Sequence, residues 1–309
     1  MRLIISQVGR NSRPRNTSTR LRSLSANNEH LSEFFGRIPI IVNNQPIGIL
    51  DSGVGGLSIW REIVKELPNE STIYIADSLN CPYGERSEEE IYDLAKRLVQ
   101  FLIEQKVKLI VVACNTITVF CIDKLRADFL NVPIVGTVPV VKTAAEQTRN
   151  RKIGILSTTG TANSRYQEDL IAKFTRGVKV INLDTNEFVP YIERGEIEGE
   201  EVESVLKKTL KTFLREGVDT IALGCSHFPF LTSRMQEVMG DKVKILDSGK
   251  AIARQVRRVL TNNNSLSLSN NSSYTFYTTG NAEEFTKVSK RLLGRKISLS
   301  INEAHSVSL

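Results

Sequence analysis

Cys114 and Cys225 each close a stretch of sequence that occurs twice in this chain. Residues 87–116 lie on residues 198–227 without a gap, at a constant offset of 111. Glu89, Glu90, Lys96, Val107, Ile110 and Cys114 fall on Glu200, Glu201, Lys207, Val218, Ile221 and Cys225. Each copy reads as a helix followed by an apolar strand that delivers a cysteine at its carboxyl end. Ligands of open parallel sheets bind beyond the carboxyl ends of the strands. Two such halves facing each other would set the two thiols on opposite walls of one cleft. Inverting a carbon that bears a hydrogen requires a base on one face and an acid on the other, with the roles exchanged for the reverse reaction. A duplicated fold carrying one thiol per half meets that requirement. A free thiol has a pKa of about 8.5, so forming the thiolate at pH 7 costs about 2 kcal/mol. A neighbouring carboxylate or imidazole reduces that cost. Asp51, at the end of the first strand, and His227, two residues after Cys225, are candidates.

Charge that develops on a substrate carboxylate calls for hydroxyl and backbone N–H donors at strand-to-helix turns. Ser52, Asn115, Thr116 and Ser226 occupy such turns, where each could equally be a helix cap. Gly53, Gly55 and Gly56 permit close backbone approach, but no Gly-Lys-Ser/Thr follows, so the turn is no phosphate-binding loop of the Walker type. Cys81 reads as a small buried hydrophobe, with an oxidisable thiol as the alternative, and Cys121 as a core residue on the helix after Cys114.

The elements that must hold these groups alternate short β-branched runs with amphipathic stretches, the pattern of βα units around parallel sheets. Strands are expected at Ile47–Leu50, Thr72–Ala76, Leu109–Ala113, Ile153–Leu156 and Tyr274–Thr278. Ser87 followed by Glu88, Glu89 and Glu90 predicts a helix start. Ile91, Leu94, Ala95, Leu98, Leu102 and Ile103 continue it at helical period. Further helices are expected over Leu57–Leu67, Ala251–Leu260 and Glu283–Leu293, with Thr261–Ser273 as an Asn- and Ser-rich loop. Pro139 and Asp247-Ser248-Gly249 mark the crossings between domains. The expected organisation is a dispensable extension (1–45), a first α/β domain (46–139 plus 248–295), a second (140–247) and a peripheral polar tail (296–309). The fold class is thus α/β, with two pseudo-symmetric parallel-sheet domains and the site in the cleft between them.

A length of 309 residues and a hydrophobic fraction of 40% suit a soluble two-domain protein. No run approaches the roughly 20 apolar residues that span a bilayer, so no membrane association is expected. Of the net charge of +7, +5 lies in residues 1–45, which leaves +2 for the rest and no basic groove for nucleic acid. Residues 1–28 hold six Arg, five Ser and no acid, a transit-peptide-like composition read here as a dispensable tail. Four scattered cysteines are too few for a disulfide scaffold and, without a C-x-x-C pair, give no support to a structural zinc site; they point to a reducing, cytoplasmic compartment.

Ile49-Leu50-Asp51-Ser52-Gly53-Val54-Gly55-Gly56, Pro82-Tyr83-Gly84, Ala113-Cys114-Asn115-Thr116 and Gly224-Cys225-Ser226-His227-Phe228-Pro229 resemble, in order and spacing, the motifs of the glutamate racemases. Ser157-Thr158-Thr159-Gly160-Thr161, Tyr166 and Phe276-Tyr277-Thr278-Thr279-Gly280 also fit. The resemblance runs from about Pro46 to Leu293. It implies cofactor-free, metal-free interconversion of L- and D-glutamate, the latter for peptidoglycan, by a homodimer. Cys114 would deprotonate D-glutamate with help from Asp51, and Cys225 would deprotonate L-glutamate with help from His227. Asp51, Ser52, Pro82, Tyr83, Gly84, Cys114, Asn115, Thr116, Cys225, Ser226 and His227 would contact substrate, with Glu193 a further acid near the second cysteine. Ser226 and Phe228 stand where the family more often has Thr and Tyr. The alternatives are an aspartate racemase of the same superfamily, which the Pro-Tyr-Gly and Asp-Ser-Gly motifs disfavour, and a non-catalytic binding protein, which retention of both cysteines disfavours.

Overall fold

The computed structural model describes residues 44–298 and 303–309. Nearly all of the extension at 1–45 lies outside the described residues. The chain runs β1 (Ile47–Asp51), α1 (Leu57–Glu66), β2 (Thr72–Ala76), α2 (Glu88–Glu104), β3 (Leu109–Val112), α3 (Asn115–Asp128) and β4 (Ile134–Gly136). It continues with α4 (Val141–Gln147), β5 (Lys152–Ser157), α5 (Thr159–Ala162), α6 (Arg165–Phe174), β6 (Lys179–Asp184), α7 (Phe188–Glu193), α8 (Glu200–Glu216) and β7 (Thr220–Gly224). After a 3₁₀ turn at Phe228–Leu231 come α9 (Thr232–Met239), β8 (Lys244–Leu246), α10 (Gly249–Asn262), β9 (Tyr274–Thr278), α11 (Ala282–Ser298) and β10 (His305–Ser306).

Among the described residues ten strands form two sheets, ordered β10-β9-β2-β1-β3-β4 and β6-β5-β7-β8, and every pairing in them is parallel. The shared order is the structural form of the repeat: β2-β1-β3-β4 and β6-β5-β7-β8 are one permutation used twice. In each, the first strand sits between the second and third, so the direction of winding reverses beside β1 and beside β5. These reversal points are where a doubly wound sheet opens a crevice for ligand. β1, β2, β3 and β7 are buried along their whole length, as strands covered by helices on both faces must be.

The repeat extends to the helix ends. Val107 N–H and Val218 N–H donate to the carbonyls of Leu102 and Phe213, and Lys106 N–H and Gly217 N–H to those of Ile103 and Leu214. Lys106 and Gly217, one offset apart, both take left-handed backbone (φ 58° and 67°), the usual way of satisfying terminal carbonyls. The helix starts differ. Ser87 and Glu90 form a capping box on α2, whereas α8 begins after Gly199 without a side-chain cap.

Two expectations need amending. Ile103 is 40% exposed, because it sits about 100° around the helix from Leu102, off the stripe that buries Ile91, Ala95, Leu98 and Leu102. The tail is not wholly peripheral: β10 pairs with β9, His305 opposite Tyr277 and Ser306 opposite Thr278, and covers the sheet edge.

Candidate active site

Each cysteine stands in the turn that follows the central-facing strand of its sheet. Ala113 and Cys114 follow β3, with Cys114 preceding the first turn of α3, and Cys225 directly follows β7. Both side chains are buried, Cys114 to 4% and Cys225 to 6% residual exposure. One small cavity is lined by both thiols together with Ser52, Pro82, Tyr83, Gly84, Asn115, Thr116, Thr158, Val189, Ser226 and His227. Ten of the twelve residues singled out from the sequence therefore meet in one place. Asp51 and Glu193 lie behind the lining. Thr158 and Val189 were missed, although Thr158 falls within the recognised Ser157–Thr161 motif. The cavity holds about 10 Å³, the room of a single water and far less than an amino acid needs.

The surroundings of the two thiols differ in sign. Ser52 Oγ lies 3.6 Å from Cys114 Sγ. Burial pushes the Cys114 thiol up to about 12, the Asp51 carboxylate adds to the rise, and the Ile117 N–H and the Ser52 hydroxyl oppose it. Asp51 itself makes its hydrogen bonds elsewhere: Gly53 N–H donates to Oδ1 at 3.0 Å and Ser226 Oγ to Oδ2 at 2.9 Å. Complete burial raises the Asp51 carboxyl from 3.8 to about 6, although His227, Gly53 and Ser226 all favour its charged form. Cys225 Sγ instead lies 3.8 Å from His227 Nδ1. His227 Nε2 meets Glu193 Oε1 at 2.5 Å. Burial disfavours the imidazolium, but hydrogen bonds with Cys225, Cys81 and Glu193 outweigh it and hold His227 well above the usual histidine range. One thiol is thus kept beside an acid, the other beside a cation.

Several contacts fasten the two sheets around this cavity. Ser226, from the β7 end, donates to Asp51, from the β1 end, and accepts in return a bond to its own carbonyl from Ser58 Oγ of α1 at 2.7 Å. Glu193 Oε1 also accepts Val54 N–H at 2.8 Å. Glycine is needed here: a Cβ on Gly53 would lie 2.0 Å from Glu193 Oε1, and one on Gly55 would lie 2.3 Å from His227 Nδ1. On the other side Gly160 N–H reaches the Gly84 carbonyl at 3.2 Å. The Tyr83 hydroxyl donates to Asp77 Oδ2 at 2.5 Å, so the tyrosine braces the loop rather than leaving its hydroxyl free. Thr116 Oγ1 contacts Thr158 Oγ1 at 3.1 Å and Thr161 Oγ1 at 3.3 Å. The buried Asn115 Nδ2 has no hydrogen-bond partner among the described residues, and a buried donor left unpaired beside a cavity is a place for a ligand oxygen.

Residues 47–256 match the family model of the Asp/Glu/hydantoin racemases. The chain belongs to that family. Among its curated members, the glutamate racemase of Herpetosiphon aurantiacus is 42% identical over 249 residues, covering 80% of this chain and 97% of its own. The fold agrees with solved family members. A glutamate racemase isoform of Bacillus anthracis superposes with a TM-score of 0.78 at 32% identity, over 86% of this chain and 98% of that one. The Escherichia coli glutamate racemase, solved in complex with L-glutamate and the activator UDP-MurNAc-Ala, gives 0.76 at 32% identity, over 85% and 98%. In this family setting, the α/β class and the two parallel sheets expected from the sequence are what the chain adopts. Among the described residues no helix is long and apolar enough to cross a membrane.

Proposed function

We infer that the protein is a glutamate racemase and that Cys114 and Cys225 are its two acid–base groups. The observation that carries the reading is the pair of buried thiols from duplicated strand ends on one cavity, one backed by a carboxylate and the other by an imidazole. Cys225, paired with His227, takes the α-proton of L-glutamate, while Cys114, a thiol at rest, protonates the opposite face. In the reverse direction Cys114 must act as the base. A thiol at about 12 costs about 7 kcal/mol to ionise at pH 7 in the empty protein. The α-ammonium of a bound substrate, a cation set against the thiol, offsets part of that cost. Asp51 serves Cys114 through this shared cluster, and Glu193 holds the His227 ring and its charge. Ser52, Asn115, Thr116 and Ser226 supply donors to the amino-acid head group, with Pro82, Tyr83 and Gly84 closing the wall. The proton shuttle requires no cofactor and no metal.

The division into domains at 46–139 plus 248–295 and 140–247 is supported by sheet membership: β1–β4 and β9 belong to one sheet, β5–β8 to the other. A homodimer in the cytoplasm, making D-glutamate for peptidoglycan, completes the proposal, and four free cysteines support a reducing compartment.

The test is circular dichroism of purified protein with L-glutamate, D-glutamate and L-aspartate, in ordinary water and in deuterium oxide. Racemisation of both glutamates but not aspartate is expected. Cys114→Ala and Cys225→Ala should each abolish inversion in both directions. Any residual solvent deuterium in Cys225→Ala should enter D-glutamate only, and in Cys114→Ala L-glutamate only. Near-normal racemisation by either variant would sink the two-thiol mechanism.

A further inference from the structure

Beside His227 stands a third thiol that the reaction does not use. Cys81 lies close to both His227 and Glu193. One potential ligand atom from each of Cys81, Glu193 and His227 lies within 4.8 Å of the other two. A tetrahedral zinc ion has Zn–S of about 2.3 Å and Zn–N and Zn–O of about 2.0–2.2 Å, which sets its ligand atoms about 3.3–3.8 Å apart. The widest gap in this triad therefore closes with a shift of about 1 Å. Glu193 Oε1 is engaged with Val54 N–H and His227, but its second oxygen takes part in neither bond.

The triad also has an entrance. A second cavity of about 260 Å³ lies outside the reactive one and is lined by Ser78, Cys81, Pro190, Glu193 and Arg194, among others. Cys81 and Glu193 are half-buried on its wall, while the buried His227 is not part of that wall. Arg194, on the same wall, is committed to Glu196 at 2.8 Å. Thiolate, imidazole and carboxylate with one open position form a donor set that suits borderline-soft divalent ions and not hard ones.

We propose that Cys81, Glu193 and His227 form a binding site for a single Zn²⁺ ion, entered from the outer cavity, and that its occupation shuts the enzyme down. On binding, the Cys81 thiol and the His227 imidazolium each give up a proton to solvent, and the ring nitrogen so freed gives its lone pair to the metal. The imidazole is then fixed by coordination and can no longer exchange a proton with Cys225. The binding claim stands without the functional reading. The inhibition claim rests on it.

Full-length protein stripped with a chelator is titrated with Zn²⁺ against a chromophoric chelator, and separately with Co²⁺, whose thiolate charge-transfer band reports a bound sulfur. The expected result is one ion per chain, a thiolate band with Co²⁺, and no competition from Mg²⁺ at the same concentration. Cys81→Ser and Cys81→Ala should each weaken binding at least tenfold and remove the band. Cys225→Ser, which leaves the triad intact, should bind within about threefold of wild type. In the racemase assay, Zn²⁺ should inhibit reversibly, and its half-inhibitory concentration should rise at least tenfold in Cys81→Ser, each protein being measured against its own metal-free rate. Less than one ion per chain, a wild-type protein without the thiolate band, or Cys81 variants that bind as wild type would overturn the site. Zinc held through Cys81 by a protein without racemase activity would support the site and count against the functional reading alone.

Discussion

Asp51 is wholly buried, yet its hydrogen bonds and the His227 charge do not cancel the cost of burial: its carboxyl rises from 3.8 to about 6. A shift of about 2 pKa units at about 1.4 kcal/mol each means that keeping this group ionised at pH 7 costs the fold about 3 kcal/mol. The sign follows from proton counting. As pH rises, the unfolded chain releases the Asp51 proton near 3.8 and the folded chain only near 6, so between those values the native state holds more protons and stability falls with increasing pH. Asp51→Asn removes the charge and keeps the bonds. The amide oxygen can still accept Gly53 N–H, and the amide nitrogen can donate to Ser226 Oγ, which then turns from donor to acceptor. The variant is therefore expected to be more stable than the wild type by about 3 kcal/mol at pH 7.5, narrowing to about 1 kcal/mol at pH 4.5. Racemisation should meanwhile collapse. Urea unfolding followed by circular dichroism at the two pH values measures the difference, and initial rates measure the activity. An asparagine variant no more stable than wild type at pH 7.5, or a gap that does not narrow on acidification, would refute the reasoning.

Glu193→Gln keeps an acceptor for Val54 N–H but withdraws the negative partner of His227. A hydrogen bond to a charged group contributes about 1.5–3 kcal/mol, so kcat/KM should fall about ten- to hundredfold. The fall must be equal from either enantiomer, because mirror-image glutamates have equal free energy, and a kcat/KM within about threefold of wild type in initial-rate assays would contradict the assignment. Lys106→Gly relieves a left-handed residue at the end of α2, where the second copy already uses Gly217. It should raise stability in thermal or urea unfolding by about 1 kcal/mol. Cys121, 1% exposed on the buried face of α3, should tolerate alanine with racemase activity intact and a packing loss of about 1 kcal/mol, read from urea midpoints.

What was legible in the sequence is what depends on local period and repetition. The capping box at Ser87, the stripe through Ile91 and Leu102, and the paired cysteines at one offset are all short-range patterns, and helices and strands follow them. The permutation of strands is not local. That β1 lies between β2 and β3, and β5 between β6 and β7, required the fold. The same limit governs the site. Which residues line the cavity could be carried over from motifs, but the bonds that set their charge join residues far apart in the chain. Ser226 to Asp51 spans 175 positions and Glu193 to Val54 spans 139. Cys81 shows the failure most clearly. Its immediate neighbours suggest a small apolar filler, and only folding places a histidine and a carboxylate against it.

The duplicated architecture supplies two equivalent positions, and the chain then makes them unequal. Both thiols stand at matching strand ends, but a carboxylate lies beside Cys114 and an imidazolium beside Cys225. Two like environments would serve the reaction badly, because a racemase in its resting state needs one thiol protonated and the other ready to accept. Two neutral thiols would offer no base, and two thiolates no acid. Setting a carboxylate beside one and an imidazole beside the other makes the two thiols unlike before substrate arrives. Ser226 bonds to Asp51, and Glu193 bridges His227 and Val54, so the groups that create the asymmetry are also those that fasten one sheet to the other. The cavity beside them is too small for an amino acid, so it must widen to admit glutamate.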